Sequence, residues 1–156
     1  MGKQKKLSAS LEDYLEAIYL VSGEHGEARP KKDIMKRLRI SGPSVTEALQ
    51  QLAQKGLVNY QPYGAASLTP AGMKIARDVL YRHETLRDFF IEVLGVDPKT
   101  ADTGACKMEH AASPGIIERM IRYREFLQNE CPSCGLSKVD GFTEYLQKIE
   151  QQGVVE

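Results

Sequence analysis

Apolar positions recur three and four residues apart along most of this chain, and the pattern turns strand-like only once. Leu11, Leu15, Ile18 and Tyr19 form the first stripe. Ser10, with Asp13 three residues on, reads as a capping-box variant at its start, and the glycines at 23 and 26 stop it after Ser22. A second, shorter stripe of Ile34, Met35 and Leu38 follows Pro30, a residue suited to the first helical position. The turn Ile40-Ser41-Gly42-Pro43 leads into a third helix over residues 44–55, with Val45, Ala48, Leu49 and Leu52 inward and Gly56 as its stop. Two short helices joined by a Gly-containing turn predict a helix-turn-helix. Residues 57–61 then read as a strand, 62–66 as a turn and Ser67-Leu68 as the return, a short hairpin in the position of a wing.

Thr69-Pro70 supplies an N-cap and N1 pair for the next helix. Ile75, Val79, Leu80, Leu86, Phe89, Phe90 and Val93 carry one helical pattern from there to Gly95. That is about 25 residues, long for a globular helix. It predicts a helix that leaves one domain and enters another, dividing the chain into 1–78 and 79–156. Asp97-Pro98 opens a helix carrying Cys106, Glu109 and His110, and Ser113-Pro114 ends it and caps another. That helix shows Ile116, Ile117, Met120, Ile121 and Phe126, an apolar density that suits a core or a dimer seam. A last amphipathic helix is expected over residues 140–152, with Phe142, Tyr145, Leu146 and Ile149. The expected fold is mainly α: an N-terminal winged helix-turn-helix with a short β-hairpin wing, followed by an all-helical dimerisation domain.

Apolar content of 42% and charged content of 27% fit a soluble globular protein. No apolar run approaches the roughly 20 residues of a membrane span, and no apolar segment follows the basic N-terminus, so a cytoplasmic protein is expected. The net charge is zero, but residues 1–80 hold 12 Lys and Arg against 8 Asp and Glu, and residues 81–156 hold 9 against 13. Arg29, Lys31, Lys32, Lys36, Arg37 and Arg39 are opposed only by Asp33. Such a stripe suits binding to a polyanion on one face, and a merely solvated helix face accounts for the charge equally well. The exposed start of the third helix offers Ser41, Ser44, Thr46, Glu47 and Gln50, small or polar groups able to reach base edges and phosphates.

The chemistry concentrates at Cys106-Lys107-Met108-Glu109-His110, where a thiolate, a carboxylate and an imidazole fall at i, i+3 and i+4 on one helix face. Three such groups can hold a divalent transition ion but cannot complete its shell. Asp13 and Glu16 also share a face, although carboxylates in a first turn are usually explained by the helix dipole. A lone helical His83 is usually structural. Three cysteines are too few for a disulfide scaffold. Cys131 and Cys134 form half a zinc knuckle, a candidate accessory metal or redox pair, with no special role as the weightier reading.

Taken together the motifs resemble the diphtheria toxin repressor family of metal-dependent transcriptional regulators, in its short form without the SH3-like domain. The resemblance rests on Glu12-Asp13-Tyr14-Leu15-Glu16, Ser41-Gly42-Pro43-Ser44-Val45, Leu68-Thr69-Pro70-Ala71-Gly72, Tyr81-Arg82-His83-Glu84 and Ala105-Cys106-Lys107-Met108-Glu109-His110, in the family's order. It implies a homodimer that binds double-stranded operator DNA as a repressor when Fe2+ or Mn2+ is bound, controlling metal-ion homeostasis. The implied ligands are Asp13, Glu16, His83, Cys106, Glu109 and His110. It also implies base contacts at Ser41, Pro43 and Glu47, with Arg29, Lys31, Lys32 and Lys36 on phosphates. Asp13 follows the manganese-type pattern and Cys106 the iron-type pattern, and the thiolate favours Fe2+ with Mn2+ as the alternative. Co2+, Ni2+ and Zn2+ are expected to substitute in vitro. The family's second iron-type site meets Arg87 and Asp102 here, so it is expected to be altered or absent. The rival readings are a metal-independent winged-helix regulator and a thiol or metal redox enzyme. Against the enzyme, no phosphate-cradling glycine loop or nucleophile elbow accompanies these residues. Neither a membrane nor a small-molecule substrate is implied.

Overall fold

A computed structural model describes residues 7–23, 27–61 and 64–129, together with the exposed helical positions Glu144, Gln147, Lys148 and Gln151. Helix α1 (Ala9–Ser22) starts two residues earlier than its apolar stripe suggested. Ser8, not Ser10, is the N-cap, its hydroxyl accepting from the Leu11 amide at 3.4 Å. Leu7, just before the cap, already packs against the core, which moves the helix start outward. Gly23, at φ 70, ends the helix with its amide on the Tyr19 carbonyl.

Helix α2 (Lys31–Leu38) and helix α3 (Gly42–Gln54) form the helix-turn-helix. Pro30 precedes α2 as its N-cap and is not the N1 residue. With Arg29 it makes a two-residue strand β1, paired antiparallel as Arg29↔Ala66 and Pro30↔Ala65. A proline is tolerated there because an edge strand need not donate every amide to the ladder. Strands β2 (Val58–Tyr60) and β3 (Ala65–Leu68) are the wing, so the sheet has three strands in the order β1-β3-β2. Leu15, Ile18, Ile34, Val45, Leu49 and Leu52 are fully buried at the centre of this unit. Each such side chain contributes about 1.5–3 kcal/mol by leaving water.

The segment Leu68-Thr69-Pro70-Ala71-Gly72 locks the wing to the start of the next helix. The Thr69 amide donates to the Leu57 carbonyl at 3.1 Å, and the Thr69 hydroxyl donates to the Gly56 carbonyl at 2.8 Å while accepting from the Gly72 amide at 3.1 Å. A Cβ on Gly72 would stand 2.0 Å from the Leu57 carbonyl oxygen, so only glycine allows this approach.

Helix α4 (Pro70–Glu92) is that next helix, and the chain divides into two compact units between Leu80 and Tyr81. In the second unit Leu86, Ala105 and Ile117 are buried, with Phe90, Ala112, Met120 and Ile121 packed around them. Helix α5 (Pro98–Met108) is capped by Asp97, whose carboxylate accepts from the Lys99 and Thr100 amides at 3.1 Å. Hydrogen bonds from Thr100, chiefly its side chain, hold the Asp97 carboxyl below its ordinary value. Helix α6 (Pro114–Asn129) is tied to α4 by Arg124, 3.2 Å from Asp88 and 3.7 Å from Glu92. Among the described residues no helix is long and apolar enough to cross a membrane. Cys131, Cys134 and the apolar residues expected on the last helix lie outside the described residues.

Replacing Gly72 with Ala forces the Leu57 backbone to move. It should cost about 1–3 kcal/mol and lower the thermal midpoint by about 4–8 °C per kcal/mol, measured by calorimetry on the metal-free protein. For Asp97 the expectation is a dependence on pH. A carboxyl whose folded pKa is lowered adds stability above its unfolded value, near 4, and loses it as pH falls through the folded value. Asp97→Ala should therefore melt below wild type at pH 7, and the gap should narrow as pH falls below about 4. A gap of constant size across that range would contradict the capping role.

Candidate metal centre and nucleic-acid face

Helix α5 ends at Met108, so the Cys106, Glu109 and His110 triplet does not lie wholly on one helix. Glu109 is the C-cap, still in helical conformation, and its amide reaches the Ala105 carbonyl. His110 sits in the turn beyond. The three side chains differ in exposure. Glu109 is 0% exposed, His110 is mostly buried, and Cys106 is exposed. Groupings of ligating atoms within 4.8 Å among the described residues leave Cys106 out.

His83, on the part of α4 that belongs to the second unit, joins Glu109. Its Nδ1 lies 2.6 Å from Glu109 Oε2. His110 Nε2 lies 3.2 Å from the other oxygen, Oε1, yet among the described residues Oε1 has no hydrogen bond of acceptable geometry, and it has no access to water. Arg82 Nη1 donates to the Glu109 carbonyl at 2.8 Å, satisfying an orphan carbonyl at the end of α5. A carboxylate buried so deeply costs several kcal/mol unless cationic or donor groups compensate it. One oxygen is compensated, and the other lies beside an imidazole without a well-aimed hydrogen bond. Two imidazole nitrogens flanking a buried carboxylate with an unsatisfied oxygen fit a divalent transition ion in donor type. His83 was recognisable in the sequence only by resemblance, because Asp102 and Glu109, which it contacts, are 19 and 26 residues away.

In the first unit Asp13 and Glu16 stand three residues apart on α1, both partly buried. Neighbouring Tyr14 is buried, and its phenol is pushed above its ordinary value by that burial and then by the Glu47 carboxylate.

The helix-turn-helix face holds most of the expected nucleic-acid contacts. Lys32, Lys36, Ser41, Pro43, Ser44, Glu47 and Gln50 are exposed or partly so, and Arg29 is partly exposed, paired with Glu27 at 3.2 Å. Lys31 instead reaches across to α3, donating to the Thr46 hydroxyl at 2.9 Å, while that hydroxyl donates to the Gly42 carbonyl. These two residues clasp α2 to α3 as well as facing outward. Ser41 and Ser44 hydroxyls lie 3.0 Å apart, and Gln51 donates to Glu47 at 3.3 Å. An open cleft of about 520 Å3 is lined by Lys31, Gly42, Pro43, Thr46, Gln50 and Tyr60, with Glu47 also on its wall. Tyr60 was not among the expected contacts. It ends the first wing strand, and an aromatic residue at a strand end beside the recognition helix was the available signal.

Residues 6–66 match the iron dependent repressor, N-terminal DNA binding domain, and residues 69–135 match the iron dependent repressor, metal binding and dimerisation domain. An uncharacterized HTH-type transcriptional regulator of Methanocaldococcus jannaschii is 41% identical over 119 residues, covering 76% of this chain and 95% of its own length. The HTH-type transcriptional regulator MntR of Bacillus pumilus is 37% identical over 119 residues, covering 76% and 81%. Among solved structures, a manganese-dependent transcriptional repressor in complex with manganese aligns with a TM-score of 0.67 at 28% identity, covering 74% of this chain and 53% of that one. IdeR of T. acidophilum aligns with a TM-score of 0.63 at 25% identity, covering 78% and 55%. The chain thus spans about half the length of those two solved proteins. The named relatives are transcriptional regulators, not enzymes. With both domain models matched in order, this chain belongs to the diphtheria toxin repressor family of metal-dependent, DNA-binding transcriptional regulators.

Proposed function

We propose that this protein is a cytoplasmic repressor of metal-homeostasis genes whose homodimer binds double-stranded operator DNA when a divalent ion is held by His83, Glu109 and His110 together with Asp13 and Glu16. The observation that carries this reading is Glu109, wholly buried between two imidazoles with one oxygen unsatisfied. A bound ion would supply the positive charge that lets carboxylates from both units share one site. Asp13 and Glu16 lie on the helix that packs behind the helix-turn-helix, so tying them to the second unit would constrain the recognition helices. In a dimer the two recognition helices must meet half-sites about 34 Å, or a multiple, apart. Helix α3 would read bases, with Arg29, Lys32 and Lys36 on phosphates.

A thiolate ligand favours Fe2+. With Cys106 outside the cluster, the donors are imidazole and carboxylate, which Fe2+ and Mn2+ both accept. Mn2+ therefore stands level with Fe2+ in this reading, and Cys106 becomes a ligand only if its side chain turns inward. For the dimer seam the support is α6. Ile116, Tyr123 and Phe126 are about half exposed, spaced seven and three residues apart along one stripe, while Ile117 faces the core.

Operator affinity, measured by fluorescence anisotropy with Mn2+ or anaerobic Fe2+ and again with chelator, should differ by about 5- to 150-fold, the usual size of allosteric coupling. Glu109→Gln should abolish the difference while leaving the metal-free protein folded. Equal affinity in all conditions for wild type would sink the reading. Ile116→Glu should shift the protein from dimer to monomer in analytical ultracentrifugation and weaken operator binding at the same metal concentration. A dimer of unchanged strength would place the seam elsewhere.

A further inference from the structure

His83 has a second carboxylate neighbour that the metal reading does not use. Its Nε2 lies 3.1 Å from Asp102 Oδ1, on the opposite side of the ring from Glu109. Asp102 sits on α5 one turn before Cys106, and Arg87 Nε lies 4.0 Å from the same oxygen. Arg87 in turn stands one turn after His83 on α4. These residues therefore form a chain, Arg87 to Asp102 to His83 to Glu109, running from the surface to the buried carboxylate.

We propose that Asp102 is a positioning residue for the metal centre. It accepts the Nε2 proton of His83, so that Nδ1, which donates to Glu109 when no ion is bound, is the nitrogen that ligates when an ion takes that proton's place. This rests on the proposed metal-binding role of His83 and says how that ligand is oriented. An imidazole has two chemically similar nitrogens, and an unrestrained ring loses affinity by sampling the wrong tautomer and the wrong face. A carboxylate on the outer nitrogen removes that freedom and makes the inner one a better donor. Asp102 is largely solvent-exposed, with 63% of its side chain accessible, whereas His83 is 15% exposed. Asp102 contributes little to the core, so its value to the protein lies in what it holds. Arg87 restrains it from outside. Its charge also opposes a second cation beside Asp102, which makes the outer end of the chain an internal ion pair.

The test uses the full chain and Mn2+ titrated calorimetrically, with melting of the metal-free protein measured alongside. Asp102→Ala should weaken Mn2+ binding about tenfold, the lower end for loss of a ligand's supporting carboxylate. Asp102→Asn, whose amide oxygen still accepts the Nε2 proton, should recover most of that affinity. Neither should shift the metal-free melting midpoint appreciably. In the Zn2+-loaded protein, imidazole 15N spectra should show His83 as a single Nε2-protonated tautomer in wild type and a mixture in Asp102→Ala. Unchanged affinity and tautomer in Asp102→Ala would overturn the inference while leaving the metal site standing. Equal losses in both variants, accompanied by a drop in metal-free melting, would also overturn it in favour of a structural role. Wild type that fails to bind Mn2+, Fe2+ or Zn2+ would instead remove the metal site itself, and this inference with it.

Discussion

A carboxylate removed from water must find its compensation in whatever surrounds it, and Glu109 is such a group at the centre of the second unit. One oxygen rests on His83 and the other faces His110 without a proper hydrogen bond. Folding tolerates that arrangement because α4 and α5 are packed through Leu86 and Ala105, and because Arg82 holds the backbone carbonyl of the same residue. Left alone, the site is a local cost. In the proposed cation site the same geometry is put to use, since a buried carboxylate flanked by two imidazoles, with one oxygen unsatisfied, favours a positive charge beside it.

The surrounding elements set where that demand is felt. Asp97 fixes the start of α5, and at its other end Glu109 is buried while Cys106 is exposed. In the first unit the Thr69 and Gly72 contacts fix the wing against the start of α4, and the Lys31 to Thr46 clasp fixes α2 against α3. The recognition surface is therefore built from short-range polar locks laid over a fully buried aliphatic centre. Polar locks of this kind add about 1 kcal/mol each and act mainly by selecting one geometry.

Much of this was legible from periodicity. Stripes such as Leu11, Leu15 and Ile18, or Val45, Leu49 and Leu52, have one physical explanation, and the helices fell where the stripes did. The wing was legible from a single switch to strand-like residues bounded by turn formers. What escaped were features without local signal. Strand β1 is two residues long and leaves no alternation to detect. Ser8 and Ser10 are equivalent caps until the packing of Leu7 decides between them. The i, i+3, i+4 spacing of Cys106, Glu109 and His110 assumed one helix, whereas α5 ends at Met108 with Glu109 as its C-cap, Glu109 buried and Cys106 exposed. The contacts of His83 with Glu109 and Asp102 span 26 and 19 residues, and nothing in composition or spacing announces them.

The thiol and the imidazole and carboxylate donors pointed to different ions when all were counted as one face. In the proposed site the donors are nitrogen and oxygen, with the exposed Cys106 thiol outside the grouping. In the proposed centre an ion bound at Glu109 is shared with the carboxylates of α1. The most direct measurement is diffraction from crystals grown with Mn2+, with data collected at the manganese absorption edge. One anomalous peak is expected within bonding distance of Glu109, His110 and Asp13, with His83 or Glu16 completing the shell. A peak bound only by second-unit residues, with Asp13 and Glu16 facing solvent, would contradict it.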